Sequence, residues 1–129
     1  MPRMKVERKS TQINVDRGAF WTYCQQTARR AQHRSSARDL PCNIDPYVVD
    51  ELLVLQEWRC AVSGIALAAP GAESGRGPFG PSLDRIIPTL GYVRGNLRIV
   101  CNMVNFAMNE WGLENLLKLV EAMSAKSRS

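Results

Sequence analysis

Residues 65–81 (IALAAPGAESGRGPFGP) hold four glycines and three prolines, and this tract limits what the chain can fold into more than any other. Glycine loses the most backbone freedom on ordering, and proline lacks an N–H. No regular helix or strand therefore crosses the tract, and it reads as a mobile surface loop. Before it lie segments with helical periodicity. After it lie two short β-type runs and then further helix. That order predicts an α+β domain. With 129 residues, 45% hydrophobic and 22% charged, the chain has the balance of one globular domain with one core.

Residues 1–13 (MPRMKVERKSTQI) show neither helical nor strand periodicity and read as a flexible basic arm, followed by a single domain over 14–125. Asp16 is the expected cap of a first helix, in which Phe20, Cys24, Ala28 and Ala31 recur every three or four residues as an apolar stripe. Arg30, Arg34 and Arg38 are also spaced by four, so they share one face, with Arg29 and His33 beside it. Like charges stacked in this way cost helix stability. Either they meet a phosphate-bearing partner or they form a solvated face. Asp45-Pro46 predicts a second helix start, since Asp caps well and Pro fits the first helical position. Val48, Val49, Leu52, Leu53 and Leu55 are its expected buried face, up to about Trp58.

Ser82–Ile87 and Leu97–Cys101 are the predicted strands, joined by a long glycine-marked turn over 88–96. A helix is expected from Asn102 to Trp111 and, after the interruption at Gly112, a final amphipathic helix over Leu113–Ala125 packed across the hairpin-helix unit of residues 82–111. The last residues, 126–129, are expected to fray.

The formal charge of +5 is unevenly placed. Residues 1–40 carry nine basic and three acidic groups, 41–75 are net acidic, and 76–105 carry four Arg against Asp84. A basic arm plus a second basic segment suggests a polyanion, most simply nucleic acid, against the plainer reading of a solvated surface. The single histidine, His33, excludes multi-histidine zinc catalysis and any Ser-His-Asp arrangement that needs a spare His near a nucleophile motif. The four cysteines, Cys24, Cys42, Cys60 and Cys101, form no C-x-x-C pair and read as reduced thiols of a cytoplasmic protein. No apolar run reaches the roughly 18 residues of a membrane span, so no membrane partner is expected.

The segment 82–105, SLDRIIPTLGYVRGNLRIVCNMVN, resembles the HNH endonuclease family, whose ββα-metal motif places an Asp-His pair at the end of the first strand, an Asn in the turn and a His or Asn on the helix. The matching positions are Asp84, Asn96 and Asn105. The chain is similar, more narrowly, to a phage and prophage branch. That branch reads C-A-V-S/T-G, P-S-I/L-D-R-I, G-Y-V-x-G-N and N-x-W-G, here at Cys60–Gly64, Pro81–Ile86, Gly91–Asn96 and Asn109–Gly112.

The resemblance implies a metal-dependent DNA endonuclease that nicks phosphodiester bonds with Mg²⁺ or Mn²⁺. Asp84 and Asn105 would hold the metal, since a hard cation takes one or two protein oxygens plus water and phosphate. The plainer alternatives are a salt bridge from Asp84 to an arginine and a surface amide at Asn105. Asn96 either ties the turn to backbone groups or is an ordinary Gly-Asn turn residue. Arg29, Arg30, Arg34, Arg38, Arg94 and Arg98 would neutralise flanking DNA phosphates.

Two departures from the family stand out. The general-base His is replaced by Arg85, which stays protonated and can bind phosphate but cannot deprotonate water. Water activation would then fall to the metal, to His33, or to nothing. In that last case the chain would be a catalytically lapsed HNH-fold module, a phage-encoded regulator or inhibitor that binds nucleic acid or protein. Second, the two zinc knuckles of many HNH domains are reduced to Cys60-Ala-Val-Ser63 and Cys101-Asn-Met-Val104, so no structural zinc is expected and the two thiols should lie close together. Trp58 and Trp111 flank the motif and read as core.

Overall fold

A computed structural model describes residues 15–70 and 77–129; the basic arm at 1–13 and the middle of the Gly/Pro tract lie outside the described residues. The fold is α+β: two N-terminal helices, a two-stranded antiparallel hairpin, and two C-terminal helices.

Helix α1 (Arg17–Arg38) starts where Asp16 Oδ1 accepts the Ala19 N–H at 3.0 Å, and ends at Asp39 in the left-handed conformation. Its Phe20, Cys24, Ala28 and Ala31 are buried as the stripe predicts, joined by Thr27 and Ser35. Helix α2 (Pro46–Leu55) is capped by Asp45, whose Oδ1 accepts the Val48 N–H at 2.9 Å. Val48, Val49 and Leu53 are buried, but Leu55 is exposed. Two residues turn a helix by about 200°, so Leu55 points away from the face that holds Leu53.

Strands β1 (Pro81–Arg85) and β2 (Leu97–Cys101) pair in a register that sets Asp84 opposite Arg98 and Arg85 opposite Leu97. The first strand is shorter than the sequence suggests. Ile86 and Ile87 are half exposed and belong to the turn that leads into a single 3₁₀ turn at Pro88–Leu90. The outer edge of β2 is covered by a side chain. Gln56, just past α2, accepts the Ile99 N–H at 3.0 Å and donates to the Ile99 carbonyl at 2.8 Å, pairing as a strand residue would. This amide ties α2 to the hairpin and satisfies a buried edge. The innermost side chains, Cys24, Val49, Leu53, Ile99, Val100 and Cys101, come from both halves of the chain.

Helix α3 (Asn102–Met108) follows β2 directly, and α4 (Gly112–Arg128) begins at a glycine with φ of +79°. Here the structure corrects the expectation of a helix packed across the domain. Only Leu113 and Leu116 pack against the core, and no residue of α4 is buried. Beyond Leu116 no residue of the helix packs against the core among the described residues, so the helix projects past it. It also runs on to Arg128, beyond the expected end at Ala125, with Arg128 Nη1 donating to Ser124 Oγ one turn back. No helix among the described residues is long and apolar enough to cross a membrane.

Candidate active site

The loop between the strands is held by one buried side chain. Asn96, 5% exposed, accepts the Ile87 N–H through Oδ1 at 2.9 Å. Through Nδ2 it donates to the carbonyls of Ile87 at 2.9 Å and Gly91 at 2.8 Å. All three polar hydrogen-bonding directions of the amide that face the loop are used, which makes Asn96 a clasp across residues 87–96. The clasped loop packs on the segment after α1. The Tyr92 N–H donates to the Pro41 carbonyl at 3.1 Å, and the Asn43 N–H donates to the Tyr92 carbonyl at 3.0 Å. Gly91 is required there: its φ is +81°, and a Cβ would lie 2.3 Å from the Pro41 carbonyl oxygen.

This packing buries Tyr92 under two arginines. Arg34 of α1 donates from Nη1 to the Tyr92 hydroxyl at 2.9 Å, and the Arg85 guanidinium lies 4.9 Å from the ring centroid. Arg85 Nη1 also donates to the Pro88 carbonyl at 3.1 Å. A ring face attracts a guanidinium, so Tyr92 gathers two cations that would otherwise repel each other. Sequence reasoning missed this residue. Its motif was visible, but its contact with Arg34, 58 positions away in the chain, carries no local signal.

Arg34, Arg85 and Tyr92 line one open cleft of about 530 Å³ together with Asp84, Asn105 and Phe106. Asp84 and Arg85 on β1 and Asn105 on α3 thus share a wall with Arg34 of the α1 arginine stripe. Asn105 Nδ2 donates to Ser82 Oγ at 2.9 Å, which fixes the amide and commits its nitrogen, leaving Oδ1 as the acceptor. Asp84, whose side chain is 17% exposed, accepts Arg98 Nε on Oδ2 at 2.8 Å. The salt-bridge alternative for Asp84 is therefore realised, with the cross-strand arginine instead of its neighbour. A cation at Asp84 would have to use Oδ1 or displace Arg98. Arg98 also contacts Met108 and is engaged inside the domain, so it is not extended along an outer track.

The cleft continues in both directions. A second depression of about 300 Å³ shares Arg34, Leu83 and Asn105 with it and adds Tyr23, Thr27, Arg30 and Ser82. A third, of about 510 Å³, shares Asp84, Arg85, Pro88 and Asn109 and reaches the start of α4. Arg30 and Arg34 face this groove. Arg29 and His33 instead border a separate depression with Arg30 and Arg34, and His33 is not among the residues lining the cleft of Asp84. Arg38 is exposed at the end of α1. Arg94 pairs with Glu51 of α2, its N–H donates to Asn43 Oδ1 at 2.9 Å, and it is not among the residues lining the cleft.

The thiols are all free. Cys60 and Cys101 interact directly, as expected of two thiols lying close together. Burial would raise the Cys60 thiol, but hydrogen bonds from the Ser63 hydroxyl and N–H outweigh it and hold the group below its ordinary value. Burial raises Cys101, with a further push from Cys60. Among the described residues, no three His, Cys, Asp or Glu side chains are grouped to hold a metal ion. Trp58 is half buried with Arg17 over its ring at 4.9 Å, whereas Trp111, expected in the core, is exposed in the turn before α4.

Searches against protein-family models, curated proteins and solved structures return no match to this chain.

Proposed function

We propose that the chain is a divalent-metal-dependent endonuclease of the HNH type that nicks DNA. One observation carries the reading: Asp84, Arg85 and Asn105 share a single open cleft with Arg34 of the basic helix. Two guanidiniums at one end suit a phosphodiester, because planar N–H donors match its non-bridging oxygens. Arg30, further along the groove, suits the next phosphate of the same strand. Arg29 and Arg38 would add affinity outside the cleft.

Asp84 Oδ1 and Asn105 Oδ1 are hard oxygen donors, and one carboxylate plus one amide is a donor set Mg²⁺ or Mn²⁺ accepts alongside water and phosphate. When bound, such a cation supplies charge stabilisation to the transition state and to the leaving 3′-oxygen. The chain's own residues do the rest. Arg85 and Arg34 hold the phosphate and draw charge from it, Tyr92 keeps both guanidiniums at the cleft, and Asn96 fixes the loop that carries Tyr92. Arg85 stays protonated throughout, so it takes no proton from the attacking water.

A second reading is favoured by a specific observation. Asp84 is already neutralised by Arg98, and His33 lies outside the cleft lining, which is the arrangement of a module that binds nucleic acid without cutting it. Relaxation of supercoiled plasmid with Mg²⁺, Mn²⁺ or EDTA separates the two. The nuclease reading expects metal-dependent nicking that Asp84→Ala and Asn105→Ala abolish. Nicking that survives Asp84→Ala refutes the site. A folded chain that binds plasmid but cuts under no metal establishes the binding module.

A further inference from the structure

Helix α4 is half anchored and half free. Leu113 and Leu116 pack on the domain, and the same apolar stripe then continues into solvent through Leu117, Val120 and Met123, with Leu119 at its edge. Leu117 is 53% exposed, Leu119 56%, Val120 50% and Met123 61%. Scattered apolar side chains on a surface are ordinary, but an exposed row of Leu117, Val120 and Met123 along one face of a projecting helix, with Leu119 at its edge, is not.

We infer that this stripe is a self-association surface, on which α4 of a second copy of the chain lies antiparallel. Charge along the helix selects that occupant and that direction. Glu110, in the turn before the helix, and Glu114, in its first turn, stand at one end, and Lys126 and Arg128 at the other. An antiparallel copy sets the acidic end of each helix beside the basic end of the other and pairs the apolar centres. A parallel copy would set like against like. A membrane surface is a poor occupant, because the polar face mixes Glu114 and Glu121 with Lys118 instead of presenting a basic field. Nucleic acid offers nothing to an aliphatic stripe.

The area suits a weak, reversible dimer. Leu117, Val120 and Met123 each retain on the order of 100 Å² of surface, so two copies bring together roughly 600 Å², with Leu119 at the rim, the low end of specific interfaces. The arrangement is isologous, the same patch meeting itself, which is the commonest closed symmetry for identical chains. It does not depend on the nuclease reading. If that reading holds, the dimer joins two grooves, because the groove containing Asp84 reaches Gly112 and Leu113 at the root of α4.

Sedimentation velocity of the full chain without DNA or metal tests this. The expected result is a reversible dimer at concentrations up to on the order of 100 μM. Val120→Glu with Met123→Glu should give a monomer, and neither side chain belongs to the core. Reversing Lys126 and Arg128 to Glu should weaken the dimer at least about tenfold. Adding Glu110→Lys and Glu114→Lys to that chain should restore it. A parent chain that stays monomeric over the whole range overturns the inference. So does a dimer that tolerates Val120→Glu with Met123→Glu, or one whose charge reversals show no mutual rescue. Nicking assays on the same proteins report separately on the active site.

Discussion

Replacing Asn96 by Ala tests the physical centre of the hairpin. The substitution removes three hydrogen bonds, to Ile87 N–H, Ile87 C=O and Gly91 C=O. The costs differ. Gly91 is buried, so its carbonyl would be stranded without water, a loss of about 1–3 kcal/mol. Ile87 is half exposed and its groups can recover water, so each costs closer to the net value of a bond, about 0.5–1 kcal/mol. The expected loss is about 3 kcal/mol, or about 10 °C in Tm for a domain of this size. Urea and thermal denaturation followed by circular dichroism measure it. Asn96→Asp sharpens the test. It keeps the acceptor for Ile87 N–H but turns an oxygen toward two carbonyls, which disfavours the carboxylate and raises its folded pKa above the unfolded value. Its stability should therefore be highest in acid and fall as pH rises through the carboxylate range. A loss below about 1 kcal/mol for Asn96→Ala, or an Asn96→Asp chain as stable as the parent at neutral pH, would refute the clasp and restore the ordinary turn residue.

Four other outcomes follow from the geometry. Gly91→Ala should destabilise by more than about 2 kcal/mol in the same denaturation assay, because its Cβ collides with the Pro41 carbonyl at an unfavourable φ; a near-parental midpoint contradicts the close approach. In a thiol-reagent titration the exposed Cys42 should react first, with buried Cys24, Cys60 and Cys101 released on unfolding. Burial, with a smaller push from Asp50, raises Cys24 to about 12, so the folded state favours its thiol. That contribution is complete below the unfolded pKa of about 8.5 and is lost as pH rises toward the folded value, so Cys24→Ala should flatten the alkaline decline in stability. Finally, Arg34→Ala should lower the salt dependence of DNA binding by about one charge in fluorescence anisotropy, and an unchanged slope would remove Arg34 from the phosphate track.

The sequence by itself determined the local features. Asp16 and Asp45 are readable as caps because capping needs only a short polar side chain beside a helical run, and Pro46 at the first helical position confirms the start. The stripe of Phe20, Cys24, Ala28 and Ala31 is buried as read, since periodicity fixes which residues share a face. The second strand, Leu97–Cys101, is found where its β-branched run predicts. What failed was context. The buried side of Leu55 and the packing of α4 depend on which surfaces lie nearby, and a helix pattern states only that one side is apolar.

The candidate site divides in the same way. Asp84, Arg85 and Asn105 were marked by motif and spacing, yet only the tertiary structure decided what each touches. The antiparallel register sets Arg98 against Asp84, so the acid meets a cation 14 residues along the chain. The close approach of Gly91 to Pro41 carries Tyr92 under Arg34, which turns two basic segments distant in sequence into one cleft. Charge counting could mark both segments as basic, because a charge sum needs no contacts. Bringing their guanidiniums to one ring required a glycine without a side chain, an asparagine with three hydrogen bonds, and the loop those two residues hold in place.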